Sequence, residues 1–177
     1  MTTAITVRFL VNGKEIAVIT DPLTSLQTIL REQLLLTGTK AGCRQGGCGS
    51  CSVQIDGQLE LSCLVPIVEA DGRSVETIEG LDCGETLDPI QSAFVENFAL
   101  QCGFCTPGMV MATRSLLMEN PEPTTTQVIE ALSGNVCRCT GYESIMQAVA
   151  DATRRLAETS PDHINVHGPW SLEGGES

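Results

Sequence analysis

Residues 40–51 read Lys40-Ala41-Gly42-Cys43-Arg44-Gln45-Gly46-Gly47-Cys48-Gly49-Ser50-Cys51, three cysteines among four glycines. Neither a period of two nor one of 3.6 runs through them, so they predict an irregular surface loop pinned by whatever its thiols hold. On the N-terminal side, Ile5, Val7 and Phe9 alternate with Thr6, Arg8 and Leu10, and Asn12-Gly13 supplies a tight turn. Asp21-Pro22 breaks the returning strand, and Ser25 caps a helix with Leu26, Ile29, Leu30 and Leu34 on its buried stripe, ended by Gly38. On the C-terminal side, strands are expected at Ser52–Ile55 and Gln58–Val65 around Asp56-Gly57, and at Ser74–Ile78. Residues 1–80 therefore predict a mixed sheet covered by one helix.

The loop thiols are spaced Cys43-x4-Cys48-x2-Cys51, with Cys63 after eleven intervening residues. This is the plant-type ferredoxin ligand spacing for a 2Fe–2S cluster. Three thiolates come from one wrapping loop and the fourth from a neighbouring strand. Gly42, Gly46, Gly47 and Gly49 permit left-handed backbone and close approach, which turns N–H groups toward the sulfurs of an anionic cluster. Zinc also takes four thiolates, but its sites usually read as two close pairs.

Beyond Gly80 the pattern changes to a helical period. Asp88-Pro89 opens a helix with Ile90, Phe94, Val95 and Phe98 along one side, and Thr106-Pro107 opens a second that Asn120-Pro121 stops. A third is expected over Thr126–Leu132, ending at Gly134. Thr140-Gly141-Tyr142-Glu143 has the form of a capping box for a fourth. Residues 81–159 thus predict a four-helix bundle, and 160–177 a tail. Cys102-x2-Cys105 falls between the first two helices and Cys137-x-Cys139 between the last two, which brings the pairs together at one end. Four thiolates so placed suit zinc or a second 2Fe–2S unit.

Ten Lys and Arg against 22 Asp and Glu leave a net charge of −12, which argues against nucleic acid or an anionic membrane as partner. Aromatic residues make up only 3% of the 177 positions, so two cores of this size need support from elsewhere. Nine cysteines, an odd number, do not make a disulfide framework. Cys83 belongs to neither set and reads as a small buried hydrophobe. The N-terminal stretch lacks the basic and then apolar pattern of an export signal, which predicts a cytoplasmic chain.

Gln101-Cys102-Gly103-Phe104-Cys105-Thr106-Pro107-Gly108 and Gly134-Asn135-Val136-Cys137-Arg138-Cys139-Thr140-Gly141-Tyr142 resemble the two signature runs of the iron–sulfur subunit of molybdenum hydroxylases. That family includes xanthine dehydrogenases, aldehyde oxidoreductases and aerobic carbon monoxide dehydrogenases. The resemblance implies an α+β chain, with a β-grasp ferredoxin domain and a helical domain, that relays electrons without substrate chemistry of its own. Cys43, Cys48, Cys51 and Cys63 would hold one 2Fe–2S cluster, and Cys102, Cys105, Cys137 and Cys139 the other. Gln101 and Cys139 would touch the molybdopterin of a large subunit. FAD in a medium subunit would be the next acceptor, in a heterotrimer or a dimer of heterotrimers.

Overall fold

The computed structural model describes residues 4–81 and 86–158. The expectations for Cys83 and for the tail 160–177 fall outside the described residues.

Strands β1 (Ile5–Val11) and β2 (Lys14–Thr20) pair antiparallel, Val11 against Lys14, around Asn12-Gly13. Both turn residues take positive φ, 49° and 75°, the geometry that a two-residue hairpin requires. Strands β3 (Ser52–Ile55), β4 (Gln58–Leu61) and β5 (Ser74–Glu76) complete a five-stranded sheet in the order β2-β1-β5-β3-β4. The sheet is mixed because β1 and β5 run parallel. Its core packs Val7, Phe9, Val53, Ile55 and Val75 against Leu26, Ile29 and Leu30.

The expected helix after Ser25 is shorter and of another kind. Ser25 does cap it, accepting the Thr28 N–H, but the α-helical part α1 is only Leu26–Thr28 and passes into a π-helical turn, Ile29–Gln33. Leu34 N–H bonds back to the Ile29 carbonyl, and the chain then reverses through Leu35 at φ 57°, three residues before Gly38. The expected strand to Val65 stops at Leu61, because Ser62 donates its hydroxyl to the Cys51 carbonyl at 2.7 Å and Leu64 N–H turns back to Leu61. This turn is what presents Cys63 beside Cys51. Likewise β5 ends at Glu76, where the Asn12 side chain takes the Thr77 N–H.

Helices α2 (Pro89–Glu96), α3 (Thr106–Glu119), α4 (Thr125–Leu132) and α5 (Glu143–Glu158) enclose the second core, around Phe94, Met109, Met111, Leu117, Ile145 and Val149. Asp88 and Gln91 form a capping box on α2, and Thr124 with Gln127 forms another on α4. The second box starts α4 one residue ahead of the sequence expectation. The box expected at Thr140 is absent: α5 begins at Glu143, and the Thr140 hydroxyl is directed at Cys137 instead.

The two cores are joined where α3 crosses β3. Gly108, near the start of α3, lies so close to the Gly49 carbonyl that no Cβ fits there. Further along, Arg114 pairs with Glu76 of β5 at 3.4 Å, with its side chain 5% exposed.

Candidate metal centres

The loop 40–51 is held from below. Gln27 donates its side-chain amide to the Lys40 carbonyl, Arg31 reaches the Thr37 and Thr39 carbonyls, and Lys40 N–H bonds the Ser50 carbonyl. Within that frame the backbone curls around its own sulfurs. Gln45 and Gly47 donate N–H to Cys43 Sγ at 3.4 and 3.2 Å, and Cys43 N–H donates to Cys48 Sγ at 3.4 Å. Left-handed backbone occurs at Gly46 and Gly49 as expected, but the third such position is Arg44, not Gly42 or Gly47. Gly42 matters for space: a Cβ there would meet Cys48 Sγ at 2.8 Å. The N–H bond from Gln45, with others from Gly47 and Cys48, lowers the Cys43 thiol to about 7. Burial pushes Cys51, which faces Cys63, up to about 11. Metal ligation deprotonates both, releasing protons as it does so.

The second set comes together as the helix order predicts. Cys102 and Cys139 lie Sγ to Sγ at 3.6 Å, both exposed, while Cys105 and Cys137 face each other and are buried. Burial, with Cys137 beside it, pushes Cys105 up to about 12. Burial also opposes ionisation of Cys137, but the Thr140 hydroxyl and N–H, at 3.2 and 3.4 Å, outweigh it and bring that thiol to about 7. The Tyr142 hydroxyl accepts the Cys137 N–H at 2.8 Å.

The thiols thus meet two by two, Cys43 with Cys48, Cys51 with Cys63, Cys105 with Cys137 and Cys102 with Cys139. Sulfurs held as two pairs, with backbone N–H groups aimed at them, fit a binuclear iron centre at each site. Gln101 lies exposed beside Cys102, at the same end as Cys139.

Sequence reasoning did not find the bonds that tie the sites together. Val136 N–H donates to the Cys48 carbonyl at 3.0 Å, and the buried Asn135 side chain donates to the Gly49 carbonyl at 3.1 Å. The partners are more than eighty residues apart, and no local pattern marks them. Thr140 and Tyr142 stand in the second signature run and in the expected cap, and neither reading assigns them a part in holding Cys137. Among the described residues, no helix is long and apolar enough to cross a membrane.

Comparison with known proteins agrees with this geometry. Residues 9–83 match the 2Fe-2S iron-sulfur cluster binding domain, and residues 77–150 match the [2Fe-2S] binding domain. The chain is 50% identical over 146 residues to the nicotine 6-hydroxylase small subunit of Paenarthrobacter nicotinovorans, covering 82% of this chain and 88% of that one. It is 46% identical over 149 residues to a probable xanthine dehydrogenase subunit of Bacillus subtilis, covering 84% and 86%. Among solved structures, that of quinoline 2-oxidoreductase from Pseudomonas putida 86 superposes with a TM-score of 0.85 at 47% identity, covering 89% of this chain and 98% of that one. With two 2Fe–2S domains in tandem and relatives of this closeness, the chain belongs to the small iron–sulfur subunits of molybdenum hydroxylases, the electron-transfer components of multi-subunit oxidoreductases.

Proposed function

We propose that Cys43, Cys48, Cys51 and Cys63 hold one 2Fe–2S cluster and Cys102, Cys105, Cys137 and Cys139 the second. Gln101 and Cys139 face the pterin of the large subunit. The observation that carries this is the pairing of the thiols with backbone N–H groups aimed at them, which suits the two thiolates that each iron of a binuclear centre takes. When bound, the clusters supply one-electron carriage between a molybdenum–pterin centre in the large subunit and FAD in a medium subunit.

The placement of the chain's own residues supports a route for that carriage. Cys102 and Cys139 stand at the surface beside Gln101, the side offered to a partner. Cys105 and Cys137 point inward. The Val136–Cys48 bond then joins the residue next to Cys137 to a thiol residue of the first set. The assembly we propose is a heterotrimer, or a dimer of heterotrimers, in the cytoplasm.

The test is iron and sulfide analysis of the purified complex with electron paramagnetic resonance after dithionite. Two distinct signals are expected, one lost in Cys43→Ser and the other in Cys102→Ser. Colourless, zinc-loaded protein would overturn the assignment, and elution at the mass of this chain alone would favour a free shuttle. Gln101→Ala should slow reduction by substrate and leave reduction by dithionite unchanged.

A further inference from the structure

We propose that Thr140 is a positioning residue for electron acceptance. Its hydroxyl donates to Cys137 Sγ and raises the reduction potential of the cluster held by the helical half. This goes beyond the ligand assignment and rests on it.

The hydroxyl has one proton and a defined use for it. Thr140 Oγ1 accepts the Tyr142 N–H at 3.2 Å, which occupies one lone pair, and its proton faces Cys137 Sγ at 3.2 Å. The Thr140 N–H adds a second donor to the same sulfur at 3.4 Å. The acceptor is held still, because the Tyr142 hydroxyl takes the Cys137 N–H at 2.8 Å and lies 3.4 Å from the Asn135 carbonyl. Cys137 is 9% exposed, so water competes weakly for the bond. Helix capping does not explain this placement, since Tyr142 precedes the first residue of α5. The other pair of this set, Cys102 and Cys139, is exposed and faces itself.

One-electron reduction takes one ferric ion to ferrous and makes or breaks no bond, so the whole added charge falls on iron and its sulfurs. A donor on a ligating sulfur stabilises that charge more in the reduced than in the oxidised state. The electron comes from the molybdenum centre of the large subunit in the complex, or from dithionite in a titration.

The experiment is a redox titration of the intact complex, followed by electron paramagnetic resonance, in parent, Thr140→Val and Thr140→Ser proteins. Valine keeps the shape and deletes the donor; serine restores it. We expect the Val variant to be about tenfold harder to reduce at the helical cluster, 59 mV for one electron. The ferredoxin-type cluster should not move, and the Ser variant should match the parent. An unchanged potential, or equal shifts at both clusters, overturns the proposal. Absence of a second signal in the parent would instead overturn the ligand assignment. Should the Val variant lose iron, proton double-resonance spectra before and after brief transfer to D2O decide the matter. An exchangeable proton coupled to the helical signal that the Thr140→Ser protein retains and a Thr140→Ala protein loses supports the bond, and identical spectra in those two variants overturn it.

Discussion

Asn135 and Gly49 are joined by a buried side-chain bond, Nδ2 to carbonyl at 3.1 Å, that closes one thiol loop onto the other. The Gly49 carbonyl also accepts from the Ser52 N–H and hydroxyl, at 3.1 and 2.8 Å. Removing Asn135 therefore leaves no orphaned oxygen. Asn135→Ala should cost about 1 kcal/mol, lowering the apparent melting temperature by about 2–4 °C. Asn135→Asp sets a carboxylate against the same carbonyl and should cost more. Thermal melts of the two variants check the order, and an aspartate variant as stable as parent would refute it.

Gly108 is required by backbone proximity. A methyl there would meet the Gly49 carbonyl and lie 3.0 Å from Ser50 Cα, neither of which can swing aside as a side chain would. Gly108→Ala should destabilise by about 1–3 kcal/mol or more through overpacking. Because the clash falls between the two domains, the variant should melt in two transitions, one for each core. Scanning calorimetry shows whether it does.

Arg114 is a buried cation between the halves, paired with Glu76 and facing Asp88. Arg114→Met retains the stem and withdraws the charge, leaving both carboxylates without it. The expected cost is about 3–5 kcal/mol, as for other broken buried pairs. The double variant Arg114→Met with Glu76→Gln should recover part of that loss in denaturant titrations.

Burial raises Asp88 above the usual carboxylate range, against the pull of the Ile90 N–H and Arg114. The folded chain thus holds this proton more tightly than the unfolded chain does. Its contribution to stability is complete below the unfolded value and is lost as pH rises through the folded one. Asp88→Asn keeps a cap oxygen and removes the titration. Melting temperatures of the variant should gain on the parent as pH rises from acid to neutral. A gap that does not change with pH would show that Asp88 titrates normally.

Removing iron should act locally. The thiol loops have few apolar contacts, whereas the sheet and the helices have cores of their own. After chelation and loss of visible absorbance, amide exchange should accelerate across residues 40–51 and 133–142 and stay slow in β1, β3, α3 and α5. Native-like protection of residues 40–51 without iron would refute this.

The elements were legible where one local rule governs them. Asn12-Gly13 gave the hairpin, Asp88-Pro89 the start of α2, and the helix order the meeting of Cys102 and Cys105 with Cys137 and Cys139 at one end. The misjudged boundaries share a cause, local backbone that distant or sulfur partners redirect. Leu34 bonds to Ile29 instead of continuing an α-helix, Ser62 turns β4 toward Cys51, and Thr140 serves a sulfur rather than a helix end. Links such as Val136 to Cys48 join residues too far apart in sequence for any periodicity to announce them.

The surface position of Cys102 and Cys139 has a bearing on the order of manufacture. Under the proposed assembly the large subunit covers that end, and no iron donor can then reach it. Loading must come before docking, and in the interval a half-wet centre stands open to dioxygen. A cell making this chain therefore gains from keeping that interval short.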